Sequence, residues 1–483
     1  MKPPIPSVGW NTLAAICAAM LFLAGCRIGP TYHRPTAFHT NDLPAVFCEL
    51  TTNGVASQWK AAEPAAHLLP GEWWRIFNDE ELNQIEKSAN NQQIVAAAAR
   101  FHQARALVNV ARADIYPHFT AGPSYERERT SANQFDTGQA AHTHSTFTIP
   151  LDASWELDLW GRVRREVEAA RARLSANAAD LQAVNLSIQA EIAIDYFTYR
   201  LYEAQQAIVL QNIEAFRRSL ELTRKRRAGG IASDLDVSQA ETQLRSAEAQ
   251  LPALELQRSK LHHALAALCG KPPGTFNLTR TNANLENIPA VPLSLPSELL
   301  ERRPDISAAE QRMIAANAEI GVAETAFYPR LTFQGTAGLE SIKASSLFDW
   351  PSRFWAIGPT LELPLFTGGR NRANLQAARA GYDETVANYR QTVVTAFQEV
   401  EDQLAAQRLL SAQIESQAAA LVSARRTLEI ANNRYKAGLV TYLEVAIAQT
   451  AALERELNLG RLQAERLAAS ASLAKALGGG WKQ

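Results

Sequence analysis

The stretch Phe147-Thr148-Ile149-Pro150-Leu151-Asp152-Ala153-Ser154-Trp155-Glu156-Leu157-Asp158-Leu159 alternates between apolar and polar side chains. Phe147, Ile149, Leu151, Ala153, Trp155, Leu157 and Leu159 share one face, and Thr148, Asp152, Ser154, Glu156 and Asp158 the other. A period of two marks an extended strand with one dry face and one wet face. Three further stretches repeat the pattern. Phe119, Ala121, Pro123 and Tyr125 oppose Thr120, Ser124 and Glu126; Leu331, Phe333, Ala337 and Leu339 oppose Arg330, Thr332, Gln334 and Glu340. In the last, Trp355, Ile357, Leu361, Leu363 and Leu365 oppose Thr360 and Glu362. The runs reach the ~9–11 residues that cross a bilayer as tilted strands. Such strands suit either a soluble sheet on a core or a lipid-facing barrel.

The N-terminus favours the barrel. Lys2 precedes an apolar segment, Leu13 to Leu23, that ends in Leu23-Ala24-Gly25-Cys26. A basic start, a short apolar stretch and small residues before a cut describe a secretory signal rather than a membrane span. The ending resembles the bacterial lipoprotein signal, which implies that Cys26 is acylated and becomes the first residue. Arg27 after the cysteine, by the same resemblance, favours the outer membrane. Cys17 leaves with the signal. Cys48 and Cys269 are read as free thiols, with one bridge between them as the alternative.

Of the 483 residues, 48 are Lys or Arg and 49 Asp or Glu; removing Lys2 with residues 1–25 leaves 47 against 49. That balance gives no reason to expect nucleic acid as a partner. Hydrophobic content of 47% and mean hydropathy of −0.19 argue against disorder and against a multi-helix membrane protein.

The chain also repeats itself. Ile94 to Pro117 aligns with Ile306 to Pro329 at an offset of 212, Arg227-Ala228-Gly229 with Lys436-Ala437-Gly438 at 209, and Leu235-Asp236-Val237 with Leu443-Glu444-Val445 at 208. Each unit reads as a short helix, strands, a long helix, a glycine turn and a further helix. The long helix, about Arg162 to Arg227, contains neither Pro nor Gly. At 1.5 Å per residue it is roughly 100 Å long. Val163, Val167, Ala170, Leu174, Ala178, Leu181, Val184 and Ile188 form a coiled-coil-like seam along it. The second unit has its long helix from about Asn371 to Lys436, and Pro252 predicts a kink in the first unit's last helix.

Four strands cannot close a barrel alone, since single-chain barrels start at about eight. An open edge in lipid leaves backbone groups unsatisfied at several kcal/mol each, so the sheet must close with copies of itself. The polar faces, with Asp152, Glu156, Glu340 and Glu362, then line a wet lumen.

The order of elements, with Glu301-Arg302-Arg303-Pro304-Asp305-Ile306, Phe327-Tyr328-Pro329 and Leu363-Pro364-Leu365-Phe366, resembles the TolC-type outer-membrane efflux family. Cys26-Arg27-Ile28-Gly29-Pro30, with Tyr32 and Arg34-Pro35, resembles its NodT/OprM-like lipoprotein branch. The resemblance implies an α+β membrane protein: a homotrimer whose 12-stranded β-barrel, four strands per protomer, continues into a periplasmic helical barrel. It implies a lipid-anchored outer-membrane channel working with a periplasmic adaptor and an inner-membrane pump, with no cofactor. The domains read as 1–25 signal, 26–90 anchor and equatorial segment, 91–270 first repeat, 271–303 connector and equatorial segment, 304–477 second repeat and 478–483 tail.

The resemblance also assigns sites. Arg227, Gly229, Ser233 and Leu235 in the first helix turn match the family's adaptor-contact tip pattern, and Lys436, Gly438 and Thr441 stand in the second. It places Leu443 and Glu444 at the periplasmic aperture and makes a Tyr435–Asp236 hydrogen bond the closed-state lock; Val440 departs from the pattern where an arginine occurs. Plain helix capping accounts for the same Gly and Ser residues. A type I polypeptide-secretion outlet uses the same tunnel, and a lipid-anchored structural envelope protein explains the helices but not the strands. No nucleophile, metal or nucleotide motif appears in a supporting context, so the chain is not read as an enzyme. His142 and His144 read as solvated loop residues, and His262-His263 as surface or packing.

Overall fold

The computed structural model describes residues 27–36, 47, 49, 71–131, 143–279, 289 and 302–479; Cys26 and the signal before it, Cys48 and His142 lie outside the described residues. Among the described residues the elements are α1 (Glu80–Ser88), α2 (Gln92–Ala113), β1 (His118–Ala121), β2 (Ser124–Arg129), β3 (Thr143–Glu156), α3 (Arg162–Ala228) and α4 (Asp234–Leu268). They continue with α5 (Pro304–Thr325), β4 (Arg330–Ser341), β5 (Arg353–Glu362), α6 (Arg370–Lys436) and α7 (Tyr442–Ala476). The repeat is exact in helix length: α2 and α5 have 22 residues each, α3 and α6 have 67, and α4 and α7 have 35. Helix α4 runs through Pro252 without ending.

The chain forms two compact units. The first comprises residues 1–35, 100–177 and 309–389. Its sheet is antiparallel in the order β1-β3-β4-β5, with β2 also pairing β3. Strands β1 and β2 are one strand interrupted at Gly122-Pro123: His118↔Ser154 and Ser124↔Thr148 keep the same register on either side. Proline has no N–H to give the ladder, and the interruption is local to it. Strand β5 ends at Glu362, so Leu363 and Leu365 lie beyond it, next to Pro364.

The residues that follow Cys26 are tied into this unit. Ile28 N–H donates to the Trp160 carbonyl at 3.0 Å, and buried Arg165 donates to the Ile28 and Pro30 carbonyls at 3.0 Å each. Gly29 has φ +102°, and a Cβ there would stand 2.4 Å from the Gly321 Cα, so only glycine permits the approach.

The second unit comprises residues 36–99, 178–308 and 390–483. One core gathers Trp73, Trp74, Phe77 and Leu82 with Ile192, Tyr196 and Phe197. Arg200 is buried there, paired with Glu81 and Glu203, and its guanidinium lies 5.1 Å from the Tyr196 ring centroid. Arg303 pairs with Asp305 and Glu399 at 2.6 Å each and donates to the Ala476 carbonyl at 3.0 Å, which fixes the start of α5 to α6 and the end of α7. The expected seam on α3 is only partly buried. Val163, Val167 and Ile188 are buried, but Ala172, Ala176 and Ala179 take the middle in place of Ala170, Leu174 and Ala178. A straight helix at 3.6 residues per turn drifts from a strict heptad, and this one drifts over many turns.

Candidate functional site: a two-faced sheet and a clipped pair of helix tips

Cross-strand register decides which side chains share a face. Phe119↔Ala153, Ala153↔Gly335 and Gly335↔Ile357 form one row, Leu151↔Ala337 and Ala337↔Trp355 the next, and Trp155↔Phe333 and Phe333↔Pro359 another. All lie on one side of the sheet, where Trp355 is 76% exposed and Leu361 65%. Large apolar side chains in contiguous rows facing outward mark a surface made for lipid or a partner.

The opposite face is polar. Thr120↔Asp152↔Thr336, Thr148↔Glu340 and Glu156↔Thr332↔Thr360 are its rows. Six carboxylates stand on it: Glu126, Glu128, Asp152, Glu156, Glu340 and Glu362. Glu156 is paired with Arg162 at 2.8 Å and Arg330 at 2.6 Å; the other five make no ion pair with a described residue. His144 shares this polar face, in β3 opposite Glu128, and is not in the loop as expected. The outer edges of β1–β2 and of β5 pair with nothing among the described residues.

In the second unit four helix ends meet. Val209, Ile213, Phe216 and Leu220 of α3, Ala240 and Leu244 of α4, Tyr435 of α6 and Tyr442 and Val445 of α7 share one buried cluster. Both turns end their helix the same way. Gly230 (φ +75°) and Gly438 (φ +77°) take the left-handed conformation, and Ile231 N→Arg226 O (2.8 Å) mirrors Leu439 N→Arg434 O (3.0 Å). This is the glycine-terminated helix end that satisfies the last carbonyls. Gly229, the expected first-turn glycine, precedes the left-handed residue.

The turns then diverge. Ser233 caps α4 with a reciprocal bond: its Oγ accepts the Asp236 N–H at 3.1 Å, and Asp236 accepts the Ser233 N–H at 2.9 Å. Thr441 at the start of α7 makes no side-chain cap. Instead Asp236 reaches across and accepts the Tyr442 N–H at 3.2 Å. Burial alone would raise the Asp236 carboxyl; the donors from Ser233 and Tyr442, with the Arg226 charge, outweigh it and hold it below its ordinary value.

Arg226 completes the joint. It donates to the carbonyls of Tyr435 at 2.7 Å and Lys436 at 3.2 Å, with its guanidinium 4.6 Å from the Tyr435 ring centroid. The Tyr435–Asp236 hydrogen bond implied by resemblance is not formed within the chain. Tyr435 Oη donates to buried Thr223 Oγ1 at 3.1 Å, and both Asp236 oxygens already hold donors from Ser233 and Tyr442. Sequence reasoning missed Arg226; its signal was a cation in the last turn of α3, where carbonyls lack donors.

The other tip residues are outward. Arg227 pairs across its own turn with Asp234 at 2.5 Å. Leu235 is 66% exposed, beside Ile231 at 69% and Leu439 at 70% in the turns. Lys436 and Thr441 are exposed, as is Leu443, and Glu444 lies 3.9 Å from Arg434. Elsewhere in the unit, His262 Nε2 lies 2.9 Å from the Phe276 carbonyl and its ring packs on Phe276, while Cys269 is a buried free thiol pushed up to about 11 by burial.

A sheet with one apolar, exposed face and paired long-helix hairpins are the features of an outer-membrane transport component. The chain belongs to the outer membrane efflux protein family, whose family model matches residues 86–271 and 295–479. It is 33% identical over 470 residues to outer membrane protein OprJ of Pseudomonas aeruginosa, covering 96% of this chain and 95% of that protein. It is 32% identical over 474 residues to cation efflux system protein CusC of Escherichia coli, covering 98% and 99%. Among solved structures it resembles the outer-membrane channel OprN with a TM-score of 0.85 at 29% identity, over 94% of this chain and all of that one. The protein acts in the outer membrane, as a component of efflux.

Proposed function

We propose that three copies of this chain close their sheets edge to edge into a 12-stranded barrel in the outer membrane. The barrel continues as a periplasmic helical tube, and the assembly is a passive conduit for small solutes delivered by an inner-membrane pump through a periplasmic adaptor. The observation that carries this is a sheet with one apolar face and two edges, β1–β2 and β5, that pair with nothing among the described residues. In hydrocarbon each unsatisfied N–H or C=O costs several kcal/mol, so β5 of one copy pairs with β1–β2 of the next. Physical argument requires closure by copies; the resemblance supplies three. Efflux is favoured over polypeptide secretion because relatives matching nearly end to end include one named for cation efflux.

In this reading the lipid on Cys26 and the barrel share one membrane, supported by the anchoring of residues 27–30 in the same unit as the sheet. Arg227, Gly229, Ser233, Leu235, Lys436, Gly438 and Thr441 form adaptor-facing tips, supported by the exposed Leu235. Leu443 and Glu444 ring the aperture, which Asp236 and Tyr435 keep closed through Tyr442 N–H and Arg226. Purified full-length protein in planar lipid bilayers is the test: discrete conductance steps are expected, and a protein that inserts but never conducts refutes the conduit.

A further inference from the structure

The apolar face of the sheet carries charge at one end only. Its positions are the odd-numbered residues of the strands, and among them the charged residues are Arg127, Arg129 and Arg353, with no acid. Arg129 is the last residue of β2 and Arg353 the first of β5, so all three lie toward the β2–β3 and β4–β5 turns. At the other end, next to the helices, the same face carries Phe119, Trp155, Leu331 and Leu361.

All three arginines are exposed, and none forms an ion pair with a described residue. The Arg353 guanidinium lies 3.5 Å from the ring centroid of Trp350, which is itself 77% exposed. Tyr125 and Phe147 stack at 4.8 Å beside the Arg127 position, and Trp355 follows Arg353 along β5. Aromatic residues at this level mark the membrane–water interface of a barrel. The acids of the same strands, Glu126, Glu128 and Glu340, face the opposite side, and Asp349 lies in the β4–β5 turn. A single sign of charge, all of it guanidinium, presents planar donor forks that match phosphate.

We propose that this arginine–aromatic rim binds the phosphate groups of the phosphorylated glycolipid of the outer leaflet. The turn end is the external one because the opposite end leads into the helices and lies with the residues that follow Cys26. The arginines thus meet outer-leaflet phosphates and not inner-leaflet phospholipid. The inference rests on the reading that the apolar face meets lipid.

The test is native mass spectrometry of the full-length protein with bisphosphorylated lipid A, phosphate-free lipid A and phosphatidylglycerol. The Arg127→Ala/Arg129→Ala/Arg353→Ala variant is expected to bind bisphosphorylated lipid A about fivefold more weakly per arginine removed. The corresponding triple Lys variant should recover part of that loss, and phosphate-free lipid A should not distinguish the proteins. Unchanged affinity in the triple Ala variant, or phosphatidylglycerol competing as well as lipid A, overturns the proposal. Quenching of Trp355 by brominated lipid, taken as the signal lost in Trp355→Phe, separates the two levels. Quenching with arginine-independent binding overturns the rim alone; no quenching overturns the lipid-facing sheet and the rim with it.

Discussion

The Asp236 carboxylate, in the first turn of α4, accepts the backbone N–H of Tyr442, the first residue of α7, at 3.2 Å. One hairpin thereby caps the helix of the other. Arg226 does the complementary work at the C-terminus of α6, donating to the last carbonyls. A carboxylate at a helix N-terminus and a cation at a C-terminus each also oppose the helix dipole. Both charges come from the first repeat, while the second contributes backbone groups and the Tyr435 ring.

Asp236→Ala and Arg226→Ala are each expected to loosen this joint and raise mean single-channel conductance; loss of a cap costs about 1 kcal/mol. Tyr435→Phe should change conductance far less, because its hydroxyl serves Thr223. If Tyr435→Phe opens the channel as widely as Asp236→Ala, the hydroxyl makes a second contact between copies, and the clip is not the lock.

Acid should act on the joint with a definite sign. Asp236 is held below its ordinary value, so its contribution is fully present above about pH 3.9 and fades as pH falls through the lowered folded value. Conductance of the wild type is expected to be flat on this account from pH 5 to 8 and to rise only in stronger acid. Asp236→Asn should abolish that acid step; an identical step in the variant would assign it elsewhere.

Glu86 has the opposite sign. It is buried, with both carboxylate oxygens lacking a hydrogen-bond partner among the described residues, and burial pushes it up to about 9. The folded state holds its proton between the ordinary value of about 4.3 and about 9, so stability falls as pH rises through that window. Glu86→Gln is expected to raise the melting midpoint at pH 8 and to flatten this slope. A midpoint lowered at pH 8 would mean the carboxylate has a partner in the assembly.

Gly321→Ala tests the anchoring of the N-terminal segment. Its Cβ would stand 2.7 Å from Arg165 Nε, which holds the Ile28 carbonyl. Overpacking of this kind costs about 1–3 kcal/mol. Limited proteolysis should cut within residues 27–36 faster than in wild type, and equal protection would show that Arg165 is not what retains the segment.

The carboxylates of the sheet's polar face that make no ion pair with a described residue set an ionic preference where that face lines the proposed pore. Asp152→Asn/Glu340→Gln is expected to move the reversal potential under a KCl gradient toward zero from a cation-selective value. No movement would leave selectivity with Glu444 at the tips.

Much of this was legible along the chain. Strand faces follow from alternation and helix ends from Gly229-Gly230 and the Lys436–Gly438 turn, because both signals are local to a few residues. The unbroken run from about Arg162 to Arg227 foretold the 67-residue α3, Arg162–Ala228, for the same reason. Reading Pro123 as a continuing strand position was right for register and wrong for the ladder, since a proline keeps the pleat but drops the donor.

The repeat and the two-faced sheet were therefore determined by sequence, each resting on the spacing of residue types along the chain. The joint was decided by tertiary structure alone. Asp236 meets Tyr442 across 206 residues, and Arg226 meets Tyr435 across 209. The choice of Thr223 over Asp236 as partner for Tyr435, like the gathering of Arg127, Arg129 and Arg353 at one end of a sheet, depends on which groups folding brings within about 3 Å or onto one edge. Hydrogen bonds weaken steeply with distance and angle, so residue type and spacing name the candidates while only the packed backbone selects the pair.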